Sequence, residues 1–419
     1  MIGASAGAPT APGLFAWWRE GSPEARRALI AAGLGWMLDA FDVMLYALLL
    51  TSIITDLGLT RQTAGAIGSA TLLSAAAGGL IFGVVADRYG RTRALMGSVL
   101  IYSVFTAASG LATTALQLAI FRILLGFGMG GEWASGAALV SETWPASHRG
   151  KALGLMQSAW AIGYGLAAVV TMLVLPRWGW RVVFFIGVLP ACLTLWIRRH
   201  VKEPELWLRN RNSSQPKGRI ADIFQDGRIP VTIAVTSMNA CTLFAWWGFN
   251  LWLPGFLSMP AASGGVGLSA ENMSWFIIAM QVGMWFGYIT FGYISDIVGR
   301  KRAYVGYLLT AAALIAVYTS VRTPSTLLLL GPFVAFFATG YFSGFGAVTA
   351  EIYPTDIRAT AQGFTYNLGR IASAAAPFTV GTLAQTRGFD VALSTTSVAF
   401  VLAALMWVWI PETKGRVLR

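Results

Sequence analysis

Two aspartates interrupt an otherwise apolar stretch near the N-terminus, GWMLDAFDVMLYALLL at residues 35 to 50. Asp39 and Asp42 are three residues apart, so their side chains share one face of a helix. An ionised carboxylate at the centre of a bilayer costs at least ~2.5 kcal/mol, so such a group faces the protein interior and usually has a function. Two neighbouring carboxylates in a low dielectric also hold a proton more readily than one alone. The pair therefore indicates a proton-binding site.

Three further charged residues stand inside apolar runs: Arg122, Glu132 and Arg370. Because a guanidinium favours the ionised form of a nearby carboxylate, a buried arginine such as Arg122 can pair with an aspartate of this pair once its proton leaves. Asp39 and Glu132 are assigned to the same proton-coupling set. The alternative for Arg122 is a permanent ion pair that only joins two helices, and the alternative for Glu132 is a paired packing residue.

The planar guanidinium of Arg370 suits a carboxylate, which accepts two parallel hydrogen bonds from it. We therefore expect Arg370 to bind an anionic substrate, with an interhelical tie as the alternative. Polar and aromatic residues at helix middles are candidates for the wall of a cavity for a flat or short organic acid. Packing in the core or against lipid is the alternative for each of them. They are Asn367, which shares the face of Arg370, and Trp133, Gln157, Trp160, Tyr164, Trp246, Trp247 and Asn250.

The elements that must position these residues are membrane helices. The chain has 419 residues, of which 56% are hydrophobic and 11% charged, as is typical of a polytopic membrane protein. Apolar runs of about 20 residues are long enough to cross a bilayer and predict an all-α membrane protein with twelve transmembrane helices. The runs lie at 28–51, 64–86, 94–113, 115–141, 152–175, 181–198, 229–258, 272–295, 303–321, 324–349, 360–384 and 391–410.

The basic residues predict the orientation of these helices. Most of the 30 lysines and arginines fall in alternate loops, which the positive-inside rule assigns to the cytoplasm. Both termini are therefore expected in the cytoplasm, and the protein is expected in the cell inner membrane as a multi-pass protein. The net charge of +12 is then loop charge that faces an anionic leaflet, so no nucleic-acid partner is expected.

The two halves of the chain repeat each other at an offset of 209 residues. The motif GVVADRYGRTR corresponds to GYISDIVGRKR, and ETWPASHRGKALG corresponds to EIYPTDIRATAQG. Two motifs that share one offset predict duplicated six-helix bundles with a site between them. We expect a cytoplasmic segment at 1–27, bundles at 28–199 and 229–410, a cytoplasmic linker at 200–228 and a tail at 411–419.

The charges inside the helices do not follow this repeat. Asp39, Asp42 and Arg122 correspond to positions 248, 251 and 331, which hold Gly, Leu and Gly. A role in maintaining the fold would more naturally be symmetric. The asymmetry therefore favours a functional role for the three charges.

The repeated motifs resemble the major facilitator superfamily, whose hallmark is G-x-x-x-D-R-x-G-R after the second helix. FRILLGFGMGGEW, the E-x-x-P-x-x-x-R repeats, VKEPELW and PETKG resemble the branch that holds sugar porters and metabolite/proton symporters. DAFD at 39 to 42 resembles the D-G-[FY]-D of aromatic-acid, sialate and lactate-type proton symporters, with Ala40 in place of the usual Gly. Gly369 and Arg370 resemble a Gly-Arg pair on helix eleven of those carriers.

This resemblance implies proton-coupled uptake of a small organic acid by alternating access. Because Asp42 is the second Asp of the motif, the resemblance also implies that Asp42 is the principal proton carrier, with Arg122 as its partner once the proton leaves. It also implies that charged residues in the cytoplasmic loops pair to latch the two bundles and separate when the cavity opens inward. A purely topogenic role is the alternative for the arginines. The gating residues carried over from the family are Asp87, Arg88, Gly90, Arg91, Glu142, Arg149, Asp296, Arg300, Glu351 and Arg358.

Other classes of function are less consistent with the sequence. An enzyme is not expected, because no nucleophile with a base, metal cluster or phosphate loop is present, and no cofactor or metal is expected. A non-transporting receptor would not need the gate motifs. Drug exporters of the superfamily carry a proline on helix five that SAWAIGYGLAAVV lacks. A sugar or polyol symporter is the main alternative, although the paired glutamines of sugar porters are absent from TSMNACTLFAWWGFN. The expected partners are protons, the organic acid and the lipid bilayer, and the chain is expected to be a monomer.

Overall fold

The computed structural model describes residues 16–205, 208, 220–354 and 357–414, except the side chains at 16, 87, 134, 146, 147, 149, 220 and 359. Within these residues the regular structure is helical. The helices are α1 Ala16–Glu20, α2 Pro23–Leu57, α3 Arg61–Tyr89, α4 Arg91–Ser109, α5 Ala115–Thr143, α6 Ala146–Ile186, α7 Ala191–His200, α8 Ile229–Ser258, α9 Ala270–Val298, α10 Arg300–Ser320, α11 Pro324–Thr339, α12 Phe345–Ile352, α13 Arg358–Ser373, α14 Ala375–Thr386 and α15 Phe389–Met406. Helices α1–α7 form the N-terminal half and α8–α15 the C-terminal half.

Twelve membrane crossings can be counted in the described chain. Nine spans are long and apolar enough to cross a bilayer, and one of these, Gly150–His200, is 51 residues long. That span contains two crossings because it bends at Gly179, whose φ of 76° is not helical. Helix α4 and the pair α13–α14 supply the other two crossings. The predicted all-α fold with twelve transmembrane helices is confirmed.

Three predicted helices are interrupted, which the apolar pattern alone did not show. The sixth crossing breaks between Ile186 and Ala191, and the tenth passes through a 3-10 segment at Gly340–Gly344. The eleventh ends at Ser373 and restarts at Ala375. Prolines at 190 and 377 have no N–H to donate to the carbonyl four residues earlier, which explains the first and third breaks.

Polar caps explain where several helices begin. The hydroxyl of Ser22 accepts a hydrogen bond from the Ala25 amide at the start of α2. The same arrangement starts α3, α5 and α9, where the capping residues are Thr60, Thr114 and Ser269. A side-chain oxygen at this position satisfies an amide that has no partner within the helix. Because the caps lie at predicted loops, they set the ends of the apolar spans.

The repeat of the sequence reappears as repeated local structure. Gly90 joins α3 to α4 with φ 116° and ψ 150°, and Gly299 joins α9 to α10 with φ 103° and ψ 149°. Glu203 accepts hydrogen bonds from the amides of Thr92 and Arg93 at 3.2 and 3.3 Å. A carboxylate therefore caps the helix that follows Gly90.

The C-terminal half has the equivalent cap, because Glu412 accepts from the amides of Arg300 and Lys301 at 2.9 and 3.1 Å. Positions 203 and 412 are again 209 residues apart. Partial burial alone would raise the pKa of Glu412, but hydrogen bonds from four backbone amides lower it below the ordinary value. Each half thus uses its own C-terminal segment to cap one of its membrane helices.

Close glycine contacts hold neighbouring helices in register. A Cβ on Gly163 of α6 would lie 1.8 Å from the Met37 carbonyl oxygen of α2, so only glycine fits there. A Cβ on Gly130 of α5 would lie 1.8 Å from the Ala75 carbonyl oxygen of α3. The first contact brings the aspartate-bearing helix α2 directly against α6.

The two ends of the bundle differ in how the halves meet. We call the end with the loops at 88–93, 198–203 and 300–302 the basic face, and the end with the loops at 58–61, 259–269 and 386–388 the opposite face. At the opposite face Thr51 of α2 hydrogen-bonds Ser258 of α8 at 2.7 Å, and the Ser69 hydroxyl accepts from the Phe378 amide at 3.1 Å. Both bonds connect a helix of the N-terminal half with a helix of the C-terminal half, so the halves are joined at the opposite face.

Candidate functional site

Five charged side chains are buried together at mid-membrane, and we call them the charge cluster. Asp39, Asp42 and Glu132 are 0% exposed, Arg122 is 2% exposed and Arg370 is 3% exposed. They come from three helices, α2, α5 and α13, so both halves contribute. The structure therefore brings together all five charges that the sequence placed inside the membrane.

Asp39 lies at the centre of the charge cluster. It interacts electrostatically with Arg370 and Arg122, and it also affects Asp42 and Glu132. The carboxylate of Glu132 occupies the space beside Gly35, where a Cβ would lie 2.6 Å from its Oε1 atom. Residue 35 is one helical turn before Asp39. The carboxyl groups of Glu132, Asp39 and Asp42 are therefore arranged one after another along α2.

Arg122 packs close to the aspartates without forming an ion pair within 4 Å to any described acid. Its guanidinium lies 4.7 Å from the centre of the Tyr46 ring, and Nη2 donates to the Val43 carbonyl at 3.4 Å. Its Nε and Nη1 atoms are buried with no hydrogen-bond partner among the described residues. The predicted pairing of Arg122 with ionised Asp42 stays a prediction.

The carboxylates of the cluster also lack donors. Neither Asp39 nor Glu132 accepts a hydrogen bond from the described chain. Thr106 lies next to Asp42, but its hydroxyl donates to the Tyr102 carbonyl at 2.8 Å. An unpaired buried charge is costly. Because three carboxyl groups accompany two guanidinium groups, one bound proton makes the cluster neutral.

Arg370 lies one turn before the interruption of the eleventh crossing at Ala374. It lies in the last turn of α13, and its carbonyl accepts from the Ala374 amide at 3.1 Å. Within the described chain its side chain forms no hydrogen bond and no ion pair within 4 Å, and its Nε atom is buried without a partner. The guanidinium lies 6.0 Å from the centre of the Tyr366 ring.

Aromatic ring contacts extend from Tyr366 and from Trp160 across the interface between the halves. Trp133 of α5 stacks on Tyr366 of α13 with ring centres 5.0 Å apart and an angle of 14°. Trp160 of α6 contacts Trp36, Trp246 and Trp247 at 4.7, 5.6 and 6.3 Å. The indole N–H groups of three of these residues are buried without a partner in the described chain, namely Trp36, Trp160 and Trp246. We call Trp36, Trp133, Trp160, Trp246, Trp247 and Tyr366 the aromatic wall.

Three polar residues predicted for the wall lie where the halves meet. Gln157 approaches the hydroxyl of Tyr288 on α9. The Tyr164 hydroxyl donates to the Asn250 carbonyl at 3.5 Å, whereas the amide of Asn250 donates to its own helix at the Trp246 carbonyl. These contacts connect α6 with α8 and α9 and do not join the charge cluster.

Asn367 does not point at the same neighbours as Arg370. Its amide nitrogen donates to the Gly363 carbonyl of its own helix at 2.9 Å. Its amide oxygen lies toward α3, 3.8 Å from the Cβ position of Gly79. Asn367 and Arg370 were predicted to share one helix face, but their side chains turn toward different neighbouring helices.

Some residues at the site were not singled out from the sequence. Trp36 precedes Asp39 by three residues and Tyr366 precedes Arg370 by four, so helical spacing could have identified both. Asn239 of α8 lies against Gly369, and its side-chain oxygen is buried without a partner in the described chain. Helical spacing could not have identified Asn239, because the residues that it contacts belong to a different membrane crossing.

The charges at the basic face form pairs inside each half. Arg91 contacts Glu142 at 2.8 Å, and Arg300 contacts Glu351 at 3.2 Å and Asp296 at 2.5 Å. We expected these charges to latch the two bundles to each other, but these described pairs join helices of the same half. The reason is that the start of α4 lies beside the end of α5, and α10 lies likewise beside α12. A latch across the halves stays a prediction for a conformation closed at this face.

The other predicted gating residues are placed as follows. Gly90 forms the joint described above, and Arg88 is exposed in the last turn of α3. Arg358 donates from Nε to the Tyr353 carbonyl at 3.3 Å. The side chains of Asp87 and Arg149 lie outside the part of the chain that the structure describes.

Comparison with known proteins identifies relatives along the whole chain. A family model described as Major Facilitator Superfamily matches residues 32–261 and 256–419. The chain is similar to the probable 4-methylmuconolactone transporter of Cupriavidus pinatubonensis, with 35% identity over 96% of this chain and 94% of that protein. It is 32% identical to the sialic acid transporter NanX of Escherichia coli, over 94% of this chain and 96% of that protein. A partially occluded, inward-open structure of the xylose transporter XylE from E. coli matches with a TM-score of 0.76 at 22% identity, covering 95% and 100% of the two chains.

Proposed function

The chain belongs to the major facilitator superfamily of membrane transporters, and we propose that it takes up a small organic acid together with protons by alternating access. The resemblance drawn from its motifs is confirmed by the family match. Two of its relatives are named for carboxyl-bearing compounds, 4-methylmuconolactone and sialic acid, and these names support an organic acid as substrate.

The observation that carries the proposal is the unpaired guanidinium of Arg370. It is 3% exposed and has no ion pair within 4 Å in the described chain, although it lies beside rings of the aromatic wall. Burying a charged donor without an acceptor is costly, and a bound carboxylate would supply two acceptor oxygens. The stacked rings of Trp133 and Tyr366 offer a flat apolar surface next to that charge. The arrangement suits a planar or short carboxylate.

The position of Asp39 suggests how protons are coupled to the substrate. It interacts with Arg370, the proposed substrate residue, and with Arg122 and Asp42, the proposed proton site. An anion bound at Arg370 adds one negative charge to the cluster, and one further proton restores neutrality. We therefore propose that each monocarboxylate enters with one proton, carried by the pair Asp39 and Asp42. Glu132 extends this pair toward the basic face.

The basic face is assigned to the cytoplasm, because cytoplasmic loops retain lysine and arginine. The opposite face, where hydrogen bonds join the halves, is then the outer side of the cell inner membrane. In this assignment the halves are joined on the outer side, as expected for a carrier whose site is closed to the outside. Reconstitution followed by protease or tag accessibility at each terminus tests the assignment.

The proposed function is tested by uptake into proteoliposomes with an imposed pH gradient, acidic outside. Radiolabelled benzoate, an aromatic monocarboxylate, should enter with a saturable initial rate well above that of protein-free liposomes, in which the neutral acid only diffuses, and a protonophore should abolish the excess over the protein-free control. Benzamide, which lacks the charge, and xylose should not accumulate. Gradient-driven accumulation of xylose in place of benzoate would instead identify a sugar symporter, and expulsion of benzoate against its concentration gradient, driven by the acidic outside, would identify an exporter.

A further inference from the structure

Arg61 connects the two halves at the opposite face. It is the first residue of α3, and its Nη1 atom donates to the Ala384 carbonyl at 2.6 Å. Its Nη2 atom donates to the Ser263 carbonyl at 2.9 Å, and its guanidinium lies 4.8 Å from the centre of the Phe389 ring. All three partners belong to the C-terminal half. One side chain of the N-terminal half therefore contacts the C-terminal half at three places.

The hydrogen-bond acceptors of Arg61 are neutral. No acid lies within ion-pair distance of its guanidinium in the described chain. Two nearby acids of this face have arginine partners of their own: Asp56 pairs with Arg181 at 2.7 Å, and Asp390 pairs with Arg322. A carboxylate accepts two parallel hydrogen bonds from one guanidinium and also carries the opposite charge, which two separate neutral carbonyls do not. A carboxylate that reached Arg61 would compete well with the two carbonyls.

A cavity gives such an anion access to Arg61. It has a volume of about 600 Å³ and is lined by residues of both halves, including Ile54, Leu59, Arg61, Ser263 and Gln385. No acidic residue lines it, and Arg61 is its charged lining residue. Small-molecule sites commonly have volumes of ~300 to 1,000 Å³ and combine an apolar lining with a few placed polar groups. The cavity is large enough for an aromatic or short dicarboxylic acid.

We propose that Arg61 is the entry site for carboxylate anions and the clasp of the outer gate. An arriving carboxylate takes over the two guanidinium donors, and the carbonyls of Ala384 and Ser263 are released. The inference rests on the proposed function, and it identifies the place where the same carboxylate first binds. The other described hydrogen bonds across this gate are single bonds between neutral groups, such as Thr51 to Ser258 and Gln62 to Gln385. Loss of the Arg61 bonds therefore removes the charged donor among the described hydrogen bonds that join the halves at this face.

The clasp has no counterpart in the other half. The position 209 residues after Arg61 holds Ala270. A contact needed only to maintain the repeated fold would be expected in both halves. The asymmetry matches that of the charge cluster, which likewise interrupts the repeat.

The test measures the opening of this face by the distance between two spin labels. Leu111 and Thr323 are exposed residues of the opposite face, one in each half, and they take the labels after substitution to Cys. Cys192 and Cys241 are replaced by Ser to remove competing thiols. Arg61→Met removes the clasp. Arg177→Met is the matched control, because it removes the same charge from the same face but only a hydrogen bond within its own helix.

Without ligand, Arg61→Met should shift the distance distribution toward longer, open distances, and Arg177→Met should match the parent. Adding benzoate should shift the parent and Arg177→Met in the same direction and leave Arg61→Met unchanged, whereas benzamide should have no effect. The KM for benzoate uptake should rise about tenfold in Arg61→Met, as expected for the loss of a charge-assisted hydrogen bond, with kcat within about twofold. Arg61→Lys keeps the charge but loses the two parallel donors of the guanidinium. Its KM for benzoate should therefore lie between those of the parent and Arg61→Met.

Two outcomes would overturn the inference. If benzoate opens the parent and Arg61→Met equally, Arg61 is not the entry site, and if Arg61→Met without ligand matches the parent, Arg61 is not the clasp. Failure of the proposed function looks different. In that case benzoate is not accumulated by the parent and Arg370→Met does not alter uptake, whatever the label distances show.

Discussion

Replacing Arg370 by Lys separates substrate binding from a structural tie. Lys keeps the positive charge but loses the planar fork, so a bound carboxylate retains one strong hydrogen bond in place of two. A hydrogen bond to a charged group contributes ~1.5 to 3 kcal/mol, which corresponds to a rise in Kd of roughly 10-fold to 150-fold. The stability of the folded protein should decrease little, because the Arg370 side chain forms no hydrogen bond or ion pair within 4 Å in the described chain.

The assay is calorimetric titration of purified protein with benzoate and with benzamide. The parent should bind benzoate much more tightly than benzamide, and Arg370→Lys should reduce that preference mainly by weakening benzoate. Arg177→Lys, at the opposite face and far from the cluster, is the matched control and should bind both compounds as the parent does. The unfolding temperature of each variant is measured alongside.

The reasoning fails if Arg370→Lys binds benzoate with the parent's affinity and instead unfolds several degrees lower. That result would identify Arg370 as a tie between helices, and the organic-acid proposal would lose its main support. A parent that binds benzoate and benzamide equally would also refute it, because the guanidinium would then play no part in selecting the ligand.

Three further predictions address coupling, packing and capping. Asp42→Asn should abolish uphill benzoate uptake but leave exchange at equal concentrations, because Asn mimics only the protonated acid; unchanged uphill uptake in proteoliposomes would reject this. Gly163→Ala should lower stability by at least about 1 to 3 kcal/mol through its clash with α2, whereas Gly154→Ala, with open space, should not. Glu412→Gln should lower the unfolding temperature at pH 7 by removing a cap worth ~1 kcal/mol. Because the pKa of Glu412 is lowered in the fold, its contribution is complete above the ordinary value and lost as the pH falls through the lowered one. The difference between parent and Glu412→Gln should therefore shrink as the pH falls below the ordinary pKa of a glutamate, and a difference independent of pH would contradict it.

The helix breaks show where sequence reasoning about the fold stopped. Hydropathy identified the twelve crossings, because lipid requires about 20 apolar residues in each whatever the tertiary contacts are. It did not show that the eleventh crossing is interrupted at Ala374, one turn after Arg370, although Pro377 was visible four residues beyond Ser373. A proline in a membrane helix is tolerated in many ways, and the surrounding helices decide whether the helix bends or breaks.

Residue types alone identified only part of the candidate site. The five buried charges were identifiable because an ionised side chain in lipid is costly wherever its helix packs. Their contacts were not identifiable: Arg122 lies over Tyr46 and pairs with no described acid within 4 Å. Helical spacing shows which residues share a face, but the helix that this face meets depends on the rotation and packing of several crossings.

Arg61 and Arg91 show the same division between sequence and structure. The repeat placed Arg91 opposite Arg300 in the alignment of the halves, but the contacts showed that each arginine pairs with a glutamate of its own half. Arg61 looked like an ordinary loop charge, because its acceptors are backbone carbonyls and a carbonyl has no sequence signature. Charge, hydropathy and repetition are properties of the residues along the chain, so the sequence determined which groups had to be buried. Distance and direction between residues far apart in the chain arise only when the helices pack, so the tertiary structure decided which of those groups meet.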